Sequence, residues 1–126
     1  AYDGSFSAGL LEALVETAST RAATLLIAYD AEYPAPIFAA RPIPDAAGIA
    51  LVLSPEPTPA SRARIAVTLG DGPATALADP ALEQLRSAIP ALRGLPLLQS
   101  LATGRAGRVQ LEYLAPLSLT VDVAPC

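Results

Sequence analysis

The spacing of the prolines constrains this chain more than any other feature. Pro34, Pro36, Pro42 and Pro44 fall between Asp30 and Ala47, and Pro55, Pro57 and Pro59 follow a short gap later. Proline lacks a backbone N–H and fixes φ, so this density excludes strand ladders and long helices there. Residues 30–47 are expected to form an ordered, extended loop over the surface, and residues 55–59 a turn-rich break. Only short elements fit between. Ala23-Thr-Leu-Leu-Ile-Ala-Tyr29 and Ile49-Ala-Leu-Val-Leu-Ser54 are near-continuous apolar runs. Strands covered on both faces, as in an α/β sheet, read this way. Arg64-Ile-Ala-Val-Thr-Leu69 alternates and reads as a strand with one wetter face, with Asp71-Gly72 as a turn.

The helical signals lie at the start and in the second half. Leu10, Leu11, Leu14, Val15 and Ala18 recur at helical spacing, with Glu12, Glu16 and Thr17 on another side. Asp3, Ser5 or Ser7 is the expected cap of this helix. Asp79-Pro80 is a helix start, Asp as N-cap and Pro at the first helical position, followed by Leu82, Leu85, Ile89 and Leu92. Pro90 should interrupt that helix, Gly94-Leu-Pro96 should end a segment, and a further helical stretch should run through Leu101 to a stop at Gly104. Arg108–Leu114 and Leu117–Val123 alternate and read as two strands separated by Ala115-Pro116.

Composition narrows the function classes. At 126 residues and 52% hydrophobic, the chain is one domain with enough apolar residues for a real core. Eight arginines, no lysine and twelve carboxylates give a net charge of −4, which argues against nucleic acid and against an anionic membrane surface. No stretch approaches the roughly 20 apolar residues that span a bilayer, and no signal peptide is visible. The lone cysteine, Cys126, cannot form an intrachain disulfide. That is compatible with a reducing, cytoplasmic setting. The chain has no Met, so it is expected to be a fragment of a longer one. It has no His, which removes the commonest general base and metal ligand. No metal and no cofactor is expected.

Three strings in this order carry a resemblance. They are Asp3-Gly-Ser-Phe-Ser-Ala-Gly-Leu-Leu-Glu-Ala13, Leu25-Leu-Ile-Ala-Tyr-Asp-Ala-Glu-Tyr-Pro-Ala-Pro36 and Arg41-Pro-Ile-Pro-Asp45, the last leading into the run Ile49–Leu53. Together they resemble the β-ketoacyl-synthase-like, N-terminal domain family, over roughly residues 3–70. The resemblance implies an α/β, thiolase-like half-fold, a mixed sheet with packed helices, cut from a larger layered architecture. It also implies a role in fatty-acid, polyketide or aryl-polyene-type biosynthesis. The enzyme resembled is an acyltransferase, 3-oxoacyl-[acyl-carrier-protein] synthase. Its elbow Cys carries the acyl chain, and two His assist decarboxylation; a helix N-terminus favours the thiolate.

The residues depart from that chemistry. Laying Leu10–Ala13 on the family's elbow helix puts Asp3 at the nucleophile-equivalent position, and no His is present to partner it. The resulting expectation is a non-catalytic partner, similar to a chain-length factor, with no catalytic residue. Its partners would be an active ketosynthase subunit or an acyl carrier protein. The alternatives are a truncated piece of an active condensing enzyme, and an unrelated α/β binding domain. A half-fold would leave apolar sheet surface open, so self-association is expected.

Each candidate residue also has a plainer reading. Asp3 would touch a partner's substrate, or simply cap a helix; Ser5 and Ser7 would donate to a substrate carbonyl, or cap and pack. Asp30, Glu32, Arg41 and Asp45 would form a polar site in the proline-rich loop, or Arg41 would only pin that loop to a carboxylate. Arg62 and Arg64 would touch an acidic carrier protein, or be solvated. Tyr29 and Tyr33 are expected to be half-buried, and Cys126 exposed and without a reactive role.

Overall fold

A computed structural model describes residues 3–126. The first helix, α1 (Ser5–Thr20), is followed by strand β1 (Thr24–Asp30), the four-residue helix α2 (Ile37–Ala40) and strand β2 (Ala47–Leu53). Strand β3 (Ala63–Gly70), helix α3 (Pro80–Ala88), a 3-10 segment (Pro90–Gly94), helix α4 (Leu95–Thr103) and strands β4 (Gly107–Glu112) and β5 (Ser118–Pro125) complete the chain. The loop expected over residues 30–47 is thus extended except for one helical turn. A mixed α and β architecture is present.

The sheets differ from the mixed sheet expected. Every strand pairing is antiparallel, in two separate sheets: β1 with β2, and β3, β4 and β5 in the order β3–β5–β4. The central strand β5 is covered on both faces along most of its length, despite its alternating sequence. It is flanked by two strands and packed against α4. Thr120 and Ser118 are buried on it because the Gln110 side-chain carbonyl accepts from both hydroxyls, at 2.9 and 3.0 Å.

The two unalternating runs are also not the doubly covered strands their composition suggested. In β1 and β2 only every second residue faces α1 and the 3-10 segment. Leu26 and Ile49 are buried, whereas Leu25, Ile27 and Val52 point outward. Tyr29 is exposed as well, not half-buried. An apolar run reports that two faces are greasy; nothing among the described residues covers the second one.

One contiguous core joins both sheets. Phe6, Leu10 and Ala13 of α1 meet Leu26 and Ile49, Ile43 of the loop, and Ile89, Ala91 and Leu92 around the 3-10 segment. Leu97 of α4 and Val109, Leu111, Leu119, Val121 and Val123 extend it under the three-stranded sheet. Two close approaches require glycine. A Cβ on Gly94 would sit 2.6 Å from the Phe6 ring, and one on Gly4 would sit 2.3 Å from the Tyr113 carbonyl oxygen.

The local punctuation follows the sequence. The Asp79 carboxylate accepts from the amides of Ala81 and Leu82 at 2.8 and 3.1 Å, with Pro80 in the first turn. Helix α3 ends ahead of Pro90, and Gly104, at φ 65°, closes α4 in the left-handed conformation. Gly94-Leu-Pro96 opens α4 where an ending was expected, since proline fits the first turn of a helix. No helix among the described residues is long and apolar enough to cross a membrane.

Candidate functional site

The position singled out by the resemblance is the start of α1. Gly4 is its N-cap and no side chain caps it, so neither Asp3, Ser5 nor Ser7 plays the capping role expected of them. Asp3 instead turns toward the 3-10 segment, where its carboxylate oxygen lies 3.5 Å from an Arg93 guanidinium nitrogen. Ser5 is exposed on the first turn. Ser7 is buried, and its hydroxyl has no hydrogen-bond partner among the described residues.

Arg93 opens a chain of charges running behind the helix start. One of its nitrogens donates to a Glu112 carboxylate oxygen, and another donates to the Ser87 carbonyl at 2.8 Å. The second Glu112 oxygen accepts from Arg86 at 3.2 Å. Arg86 is buried, and it grips Glu83 bidentately, both N–H···O distances being 2.7 Å. Glu83 also accepts from the Leu77 amide at 2.9 Å. The Arg86 guanidinium, with help from the Leu77 amide, holds the Glu83 carboxyl down at about 2. Arg86 is itself held further toward its charged form by Glu83, against the cost of burial.

This arrangement pairs the charges it contains. A general acid needs a carboxyl raised toward neutrality; Glu83 is shifted the other way. Arg86 and Arg93 link α3, the 3-10 segment, the end of β4 and the approach to α1, so the network holds four pieces of chain in one geometry. The only thiol, Cys126, is exposed beyond β5, where its amide donates to the Arg62 carbonyl at 3.1 Å.

Asp30 and Asp45 make separate backbone contacts. The Asp30 carboxylate accepts from the Ala91 amide at 2.6 Å, tying the end of β1 to the 3-10 segment. Asp45 accepts at 2.8 Å from the amide of the next residue, Ala46. Arg41 and Glu32 are exposed, and Tyr33 packs against the core. Arg62 and Arg64 stand exposed at the head of β3. Sequence reasoning overlooked Arg86, Arg93, Glu83 and Glu112. Glu83 and Arg86 lie three residues apart on a helix, a spacing that sequence can show. Nothing in the sequence links Glu112 to Arg86 or Arg93.

Compared with protein-family profiles, curated proteins and solved structures, the chain matches none.

Proposed function

We propose that this chain is a β-ketoacyl-synthase-like, thiolase-type half-fold that acts as a non-catalytic partner of an active ketosynthase. Its setting would be fatty-acid, polyketide or aryl-polyene-type biosynthesis. The observation that carries the reading is the state of Asp3. Where the resemblance calls for a thiol, the chain has a carboxylate, and that carboxylate is ion-paired to Arg93. An ion-paired carboxylate is a poor nucleophile toward a thioester. The absence of His from the sequence removes the commonest general base. The strings at residues 3–13, 25–36 and 41–45 support the family. The succession helix, strand, proline-rich loop, strand supports it too.

In this role the chain contributes a rigid surface. The Arg86–Glu112–Arg93 network holds the start of α1 in place, and the partner supplies the Cys and both His.

The test uses the purified chain, an octanoyl-loaded acyl carrier protein, and an active ketosynthase from the same organism. The reading expects no acyl adduct on this chain by intact mass, and co-elution with the ketosynthase in size-exclusion chromatography. An adduct would restore the truncated-enzyme reading. Failure to co-elute would favour an unrelated binding domain.

A further inference from the structure

The β1–β2 pair leaves more open than its outer face. In a two-stranded sheet each strand has one unpaired edge, and that of β1 meets no strand among the described residues. Seven residues long, it carries neither proline nor lysine, two of the usual guards against strand addition. Alongside it, between α1 and β1, runs an open cleft of about 300 Å³, floored by Thr24–Ile27 and walled by Gly9, Glu12, Ala13 and Glu16. Both glutamates are exposed, and neither carboxylate has an ion-pair or hydrogen-bond partner among the described residues. An acidic wall beside an unpaired strand edge selects an extended segment that carries arginines two residues apart.

The chain has such a segment on its own surface. Strand β3 is the edge of the other sheet, and its outward-facing head carries Arg62 and Arg64, both exposed and likewise unpartnered. The spacings agree. Residues four apart on a helix are about 6 Å apart along its axis, and residues two apart on a strand about 6.6 Å. Added parallel to β1, a β3 strand would set Arg62 and Arg64 beside Glu16 and Glu12. By the two-residue alternation of a sheet, Ile65 and Val67, which pack against the core of their own chain, face the opposite way from the two arginines.

We propose that the cleft between α1 and β1 is a docking site for strand β3 of a second copy of this chain. The two contacting surfaces differ, so the contact is head-to-tail and does not close on itself. Association is therefore open-ended.

Sedimentation velocity across a concentration series tests this, using the chain and two charge-reversed variants, E12R/E16R and R62E/R64E. All four positions are exposed, and unchanged far-UV circular dichroism and thermal midpoints establish that the variants fold. The parent should sediment past the dimer as concentration rises. Each variant alone should lose association, because its cleft and its β3 head then carry like charge. An equimolar mixture of the two should recover it, since every cleft again meets an opposite β3 head. Only monomer from the parent, a closed dimer, or variants that associate like the parent would each overturn the proposal. The E12R/E16R variant also separates this site from carrier-protein docking at Arg62 and Arg64, which cleft reversal would leave intact.

Discussion

Replacing Glu112 by Gln removes the one charge that two arginines share. The side chains of Arg86 and Arg93 are 9% and 13% exposed, while that of Glu112 is 32% exposed. Breaking a fully buried pair by deleting one partner costs about 3–5 kcal/mol. Hydrogen bonds to charged groups contribute about 1.5–3 kcal/mol. Glu112 is a third solvated, so water screens part of the loss, and Glu83 still neutralises Arg86. The net cost should then be about 2 kcal/mol. For a chain of this size that corresponds to a fall in thermal midpoint of roughly 6–10 °C. The assay is urea and thermal unfolding followed by circular dichroism, with Asp122→Asn as the control. Asp122 and Arg108 form an ion pair of equally good geometry, 2.6 Å, but on an open strand face. That substitution should leave the midpoint where it was. Equal effects of the two substitutions would refute the argument that burial gives the Arg86–Glu112–Arg93 chain its weight.

Four further outcomes follow from the same structure. Asp79→Ala should cost about 1 kcal/mol in a urea titration, because it strips the cap from α3. Gly94→Ala should destabilise the chain by about 1–3 kcal/mol, as the new methyl meets the Phe6 ring inside the core. Gly107→Ala meets nothing within 4 Å and should be neutral by the same titration. Glu83→Gln should change the acid limb of stability. Glu83 titrates near 2 in the folded chain against an ordinary 4.5, so its contribution is complete above about 4.5 and is lost as pH falls toward 2. Between those limits the parent should lose stability with falling pH more steeply than the variant, measured as thermal midpoint against pH.

Much of the element order was legible, for reasons that can be named. Asp79-Pro80, Pro90 and Gly104 act through local backbone chemistry, and each starts or stops a helix as its neighbours dictate. The alternation in Arg64–Leu69 likewise gave a strand with one exposed face. What the sequence concealed was coverage. Leu25, Ile27 and Val52 read as interior by composition, yet stand outside because burial depends on what packs against a face. The converse holds for β5, whose polar alternates are interior because Gln110 satisfies them. The candidate site was half legible. Asp3 was singled out through resemblance alone, and its ion-pair partner lies ninety residues away, where only the fold brings Arg93 to it. The caps expected from Asp3, Ser5 and Ser7 failed because Gly4, pressed against the Tyr113 backbone, took the N-cap position.

The central claim is that this chain partners a ketosynthase without carrying an acyl group itself. Intact-mass spectrometry of the chain and an active ketosynthase, mixed and incubated with octanoyl-loaded carrier protein, tests it most directly when read on the co-eluting complex. The account predicts the acyl increment on the ketosynthase alone, with this chain present in the complex at its unmodified mass. An increment on this chain, or a ketosynthase that elutes without it, would contradict the account.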